Sequence, residues 1–289
     1  MAKNAVQKVE DEAKVPALAS NLLDMVSADA GAGLNEMGAD DFAIPRIGII
    51  QSLSPQRNLQ KPEFIEGCVE GQIFENVTKQ LWKGGDGIVV IPVAYQPTYL
   101  EWKPRESGGG LVKNHGKDAT LFQSTPANDK GKRITKDGNI IQRYGEYFVM
   151  VMNADGVPVR AVLSMTGTAL KQAKAWNNMI NQSLVVDAEG KPVLDKAGAK
   201  INAPIFFYSY LLKTVPVINQ QGQWFRWDIV KNTNEAQVPQ SVFDLAGGLP
   251  EIYEAAKSFR DAITSGAVKV ADPVEEHGES AVESDEDPM

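Results

Sequence analysis

Between residues 44 and 232 the apolar positions fall into short runs broken by Gly, Pro, Asn and Asp, a pattern of strands and turns. "DFAIPRIGIIQSLSP" holds the first dense apolar content, at Ile44, Ile47, Ile49 and Ile50. Pro45 and Pro55 bracket it, which predicts a short strand or edge segment. "EGQIFEN" (70–76) predicts a second short strand. "DGIVVIPVAYQPTYLEWK" (86–103) opens on β-branched residues and continues in alternation at Tyr95, Tyr99 and Trp102, while Pro92 and Pro97 demand a bulge or an edge. Residues 104–142 are polar and rich in Gly and Lys, and read as one long loop, functional or disordered. "YGEYFVMVMN" and "VPVRAVLSM", separated by "ADG", predict a hairpin.

The period turns helical in "TGTALKQAKAWNNMINQSL", where Leu170, Ala173, Trp176, Met179 and Ile180 share a face, Thr166 or Thr168 is placed to cap, and Trp176 reads as core. "DAEGKPVLDKAGAKI" is a turn-rich connection. "APIFFYSYLLKTVPVIN" (203–219) predicts a long aromatic strand that pairs, through "NQQG", with "GQWFRWDIVKN" (222–232). One or two helices close the pattern. Pro250 opens the last, Ile252, Tyr253, Ala256, Phe259 and Ile263 face inward, and Gly266 stops it. Three strand regions, a helix and two strands are the element order of an OB barrel. The predicted fold is mainly β with helices: an OB-fold-like Greek-key barrel with an inserted long loop and C-terminal helices. Residues 1–40 read as an acidic, disordered arm, 41–235 as the core, 236–266 as a helical segment and 267–289 as a disordered acidic tail.

Charge divides the chain in the same places. The whole is −8 from 29 basic and 37 acidic residues. Residues 1–41 carry three lysines and eight acids (−5), and residues 271–289 carry eight acids and no Lys or Arg (−8). The body, 42–270, therefore holds 26 basic and 21 acidic residues, a net of +5. A basic body between acidic ends fits a polyanion partner and an interaction tail, although such a tail also serves solubility alone.

Composition narrows the chemistry. Cys68 is the lone cysteine, so neither an intramolecular disulfide nor a CxxC site exists. A reducing cytoplasm suits it. No apolar run reaches the roughly 20 residues of a membrane helix, and the first 20 residues lack the apolar stretch of a secretory signal. His115 and His277 are the only histidines, too few for a His/Cys zinc site. No GxSxG elbow exists, and Gly108 to Gly110 lack the GK[ST] ending of a phosphate loop. The expectation is a protein that is not an enzyme, with no cofactor and no metal; a site of carboxylates alone would need pairs that no spacing singles out.

Three stretches interleave aromatic and basic residues, the combination that holds single strands through stacked bases and tracked phosphates. "YQPTYLEWKPR" places Tyr95, Tyr99 and Trp102 beside Lys103 and Arg105. "RYGEYF" places Arg143 beside Tyr144 and Tyr147. "WFRWDIVK" sets Trp224, Phe225 and Trp227 around Arg226. Lys113, Lys117, Lys130, Lys132, Arg133 and Lys136 stud the long loop between the first two. Core packing is the competing role for each aromatic. In a strand, Trp224 and Arg226 share one face and Phe225 and Trp227 the other, and arginine's aversion to burial makes the first pair the exposed one. By the same alternation Trp102 joins Leu100 on a face that can be core.

The end of the chain, "SDEDPM", runs acids into Pro288 and Met289, and resembles the tails of single-stranded DNA-binding proteins, with Met in place of the more usual Phe. Together with "DFAIPRIGIIQSLSP", "VEGQIFEN" and "IPVAYQPTYLEWKPRESGGGLV", it resembles a family of phage-encoded single-stranded DNA-binding proteins, best over residues 41–112 and the tail. The resemblance implies an OB-type fold, cooperative coating of single strands in replication and recombination in the host cytoplasm, a possible homo-oligomer, and contacts with polymerase, helicase or recombinase through Asp285, Glu286, Asp287, Pro288 and Met289. A strand-annealing recombination protein, a virion or assembly protein and a carboxylate-dependent nuclease are the alternatives.

Overall fold

Alternation along each strand builds two buried layers, one on either side of a sheet. The computed structural model describes residues 28–29, 44–129, 131–152, 158–187, 189–219, 222–232 and 250–268, with the side chain of Arg105 excepted. The expected arm and tail lie almost wholly outside them. Ten strands form one sheet: β1 (Arg46–Ile49), β2 (Ile73–Glu75), β3 (Leu81–Trp82), β4 (Ile88–Trp102), β5 (Leu111–Asn114), β6 (Arg133–Ile134), β7 (Ile140–Met152), β8 (Pro158–Thr166), β9 (Tyr210–Asn219) and β10 (Gly222–Lys231). The helices whose bounds fall among the described residues are α1 (Thr120–Ser124), α2 (Leu170–Asn181) and α3 (Pro250–Thr264). Strand order is β10-β9-β4-β7-β8-β1-β2-β3, with β5 against β4 and β6 against β7. All pairs are antiparallel except β1 with β8.

The chain is mainly β, a strongly curled half-barrel compatible with an OB-like barrel. The expected succession of three strands, a helix and two strands is present as β4, β7, β8, α2, β9 and β10. The inner face carries Val90, Tyr147, Val149, Leu163, Tyr210, Leu212 and Trp227. Trp176 of α2 fills it, fully buried, stacked on Tyr147 at 4.3 Å and edge-on to Tyr210 at 5.5 Å. The outer face carries Val89, Ile91, Phe148, Met150 and Val162, covered by Ile252, Ala256 and Phe259 of α3. The C-terminal helix is thus part of the barrel body's second core.

The curl brings the two ends of the sheet together without a shared ladder. The Gln51 amide, just past β1, clamps the β10 backbone: Nε2 donates to the Phe225 carbonyl (2.7 Å) and Oε1 accepts from its N–H (2.9 Å). Thr214 of β9 donates its N–H to the Gly84 carbonyl (2.9 Å) and its hydroxyl to the Gly71 carbonyl. Gly71 has φ +81°, and a Cβ there would stand 2.5 Å from Phe225 Cε1. Only glycine lets the ring close this seam.

Both prolines of β4 sit as required. The register with β7 shifts between Pro92 and Ala94, a bulge at Val93. The N–H of Tyr99 points to the Gly116 carbonyl on the β5 side. Pro97 turns to that same edge, in the interval between the residues of β4 paired with β9 and those paired with β5.

Three expectations differ from the structure. Residues 104–142 are not one loop: they form β5, α1, β6 and the start of β7. The aromatic strand begins at Tyr210, because Phe206 and Phe207 occupy a turn and point into the outer and inner cores respectively. Neither threonine caps α2; a 3-10 turn, Gly167–Ala169, precedes it, and the Thr166 hydroxyl donates to the Arg143 carbonyl (3.0 Å).

The connection from α2 to β9 is an octapeptide repeat, "VVDAEGKP" then "VLDKAGAK", restarting at Ile201. Its three equivalent residues bond in a ring: Val193 N–H to the Val185 carbonyl (2.9 Å), Ile201 to Val193 (3.0 Å) and Val185 to Ile201 (2.9 Å).

Candidate nucleic-acid interface

β4 and β7 continue past the barrel, and the excursion between them, residues 103–139, folds onto this extension. Glu101 fastens it. Its carboxylate accepts from Asn139 Nδ2 (2.7 Å) and lies 3.0 Å from His115 Nε2, so one side chain ties the segment after β5 to the turn before β7. Burial pushes the Glu101 carboxyl up, but the bonds from Asn139 and His115 and the charges of His115 and Lys113 outweigh it, and it lies below the ordinary value.

The inner-face positions of the extension form a chain of arginines and aromatics. Tyr95 is half-buried, 4.9 Å from Tyr147, and reaches across Gly145 to Arg143 (Nη2 to Oη, 3.4 Å). Arg143 lies directly opposite Tyr99. Tyr99 meets Phe122 of α1 at 5.1 Å, and the Arg133 guanidinium covers Phe122 at 4.5 Å while donating to the Thr125 carbonyl. Lys113, Lys117 and Lys132 are exposed on the excursion. Phe122 was not anticipated. The signal was present, since it is the one Phe, Tyr or Trp among residues 103–139.

The sequence clusters are divided by the sheet. Tyr95, Tyr99, Lys113, Arg133 and Arg143 belong to the inner-face register; Trp102, Tyr144, Trp224 and Arg226 belong to the outer. Tyr99, Trp102 and Tyr144 are at most 9% exposed and serve as packing, so they offer no open face for a base. Trp102 and Tyr144 join Leu100 in a small outer cluster. On β10, Arg226 is exposed and Trp224 half-buried, while Trp227 is buried and Phe225 packs on the inner core. Lys103 is exposed beside the 3-10 turn Arg105–Ser107. Asp285, Glu286, Asp287, Pro288 and Met289 lie outside the described residues.

Charge concentrates on the excursion. Residues 103–139 hold eight basic and four acidic residues, +4, which leaves 18 basic and 17 acidic residues, +1, in the rest of the body. Beneath the outer face, Arg46 pairs with Glu146 (3.2 Å), which also accepts from Thr98 (2.7 Å). Among the described residues no group of three His, Cys, Asp or Glu could hold a metal ion, and no helix is long and apolar enough to cross a membrane.

Comparison with curated proteins and with solved structures returns no match. A family model, that of the Pam3 phage gp34-like protein, matches residues 11–269. With most of its length matched, this chain belongs to the Pam3 phage gp34-like family.

Proposed function

We propose that this phage protein is a non-enzymatic single-stranded DNA-binding protein that coats and protects single strands during replication or recombination. The observation that carries the reading is the excursion between β4 and β7. It is the loop between the first and second barrel strands, one of the two loops through which OB barrels hold oligonucleotides, and it carries +4 of the body's +5. The half-buried rings of Tyr95 and Phe122, interleaved with Arg143 and Arg133, supply stacking surface beside the cations. The acidic tail docks replication or recombination partners. No element among the described residues is set out as a reading helix for a duplex groove, so preference among bases is small.

The test is a fluorescence titration of oligo-dT against salt, with duplex as competitor. Binding well above duplex is expected, with log K falling by about 0.7 per phosphate contact for each unit of log salt. Equal affinity for duplex, or a flat salt response, refutes the reading. Rapid pairing of complementary strands by the protein would instead place it among annealing proteins.

A further inference from the structure

Arg143 stands out among the body's cations by what it lacks. It is half-buried, yet no carboxylate of a described residue lies within ion-pair distance. Among the described residues its guanidinium makes one hydrogen bond, the long contact to the Tyr95 hydroxyl at 3.4 Å, and its Nε is buried with no partner. The two other half-buried arginines of the sheet have firmer partners: Arg46 is paired with Glu146 and Ser164, and Arg133 donates to the Thr125 carbonyl and lies over Phe122. A guanidinium has five donors in a planar fork, and leaving even one unmet away from water, as Nε is here, is costly. The backbone around it is settled: the Arg143 carbonyl accepts from Thr166, and Gly145, which stands next to it on the same face, leaves room for the Tyr95 ring at 3.1 Å from where a Cβ would be. The arginine is therefore held on paired strands beside an aromatic ring, with most of its donors unspent.

We infer that Arg143 and Tyr95 form an oxyanion site of nucleotide size, in which the guanidinium fork takes one phosphodiester and the Tyr95 ring takes the neighbouring base. The inference rests on the single-strand reading and deepens it. The exposed lysines of the excursion attract the strand as point charges, whereas Arg143 fixes its register through two parallel N–H···O bonds. Lysine has the charge without the fork, so Arg143→Lys separates geometry from electrostatics.

The experiment compares wild type, Arg143→Lys, Arg143→Gln and the control Lys191→Gln, a charge removed from the octapeptide ribbon, for oligo-dT affinity at several salt concentrations. Thermal unfolding confirms that each is folded. Arg143→Gln is expected to bind about tenfold more weakly, an estimate scaled from one bidentate contact, and to lose about 0.7 from the salt slope. Arg143→Lys keeps the slope but not the affinity. Lys191→Gln stays within about twofold, as expected of a surface substitution. If Arg143→Gln binds like wild type with an unchanged slope, the site is refuted while the single-strand reading stands. If wild type ignores oligo-dT, the single-strand reading falls, and pyrophosphate is titrated while the arginine Nε–H resonance absent from Arg143→Lys is followed. A saturable shift retains the oxyanion site; no shift overturns it.

Discussion

At the scale of single residues, Glu101 has the largest leverage for its size. It holds His115 and Asn139, 14 and 38 positions away along the chain, and through them both sides of the cationic excursion. Its carboxyl lies below the ordinary value because hydrogen bonds and neighbouring cations outweigh burial. A depressed carboxylate contributes stability that is fully present above its unfolded pKa, about 4.3, and is lost as pH falls through the lower folded value. Glu101→Gln is expected to cost about 1.5–3 kcal/mol at neutral pH, the worth of a hydrogen bond to a charged group. It should also flatten the fall in thermal midpoint below about pH 4.3 relative to wild type. Parallel pH profiles would show instead that the carboxylate is not the fastening. The alternation of "WFRWDIVK" was legible at this scale: Arg226 is exposed, Trp227 buried and Trp224 half-buried, as arginine's resistance to burial requires. Phe122 was not read, because nothing local joins it to Tyr99 and Arg133.

At the scale of elements, long strands could be read, and short ones only where apolar residues are dense, as in β1 and β2. β4, β7, β9 and β10 are 10 to 15 residues long, enough for alternation to repeat several times. β5 and β6 are four and two residues, too short for any period, so their segment passed as loop. The turns on either side of β6 hold the missing signal, and two turns of the α2–β9 connection repeat it. Asn128–Lys132, Thr135–Asn139, Asp187–Lys191 and Asp195–Ala199 share one pattern: the first side chain accepts the fifth residue's N–H, at 2.8 to 3.1 Å, and the fourth residue is a glycine at positive φ. That is the three-residue hairpin with a glycine bulge. The barrel seam is invisible in sequence because Gly71 and Phe225 are far apart in the chain. Its test is Gly71→Ala against Gly67→Ala. Both have positive φ, but only at Gly71 does a Cβ meet a ring; at Gly67 nothing lies within 4 Å. Gly67→Ala should cost roughly 1 kcal/mol from the backbone alone, and Gly71→Ala about 2–4 kcal/mol once overpacking is added. Equal losses in denaturant unfolding would mean that Phe225 yields freely and that the seam does not limit stability.

At the scale of the whole molecule the charges are segregated: −5 in residues 1–41, +5 in the body with +4 of it on the excursion, and −8 in residues 271–289. Covalent attachment gives the terminal carboxylates an effective concentration of roughly millimolar order near their own body. On the proposed single-strand reading they compete with phosphates for the same lysines, and each must leave before a phosphate takes its place. Deleting residues 271–289 is therefore expected to tighten single-strand binding at low salt. The gain shrinks as salt rises, because screening shortens to roughly 8 Å at physiological ionic strength. Partner docking should be lost with the same deletion. Neutralising the eight acids while keeping Pro288 and Met289 reproduces the tighter binding, since competition depends on charge. Substituting Met289 alone leaves binding unchanged and tests whether the apolar tip is what a partner reads. The measurement is a titration of full-length and truncated protein with oligo-dT at two salt concentrations. Identical affinities at low salt would show that the acidic end does not visit the excursion, and its charge would then be a matter of solubility.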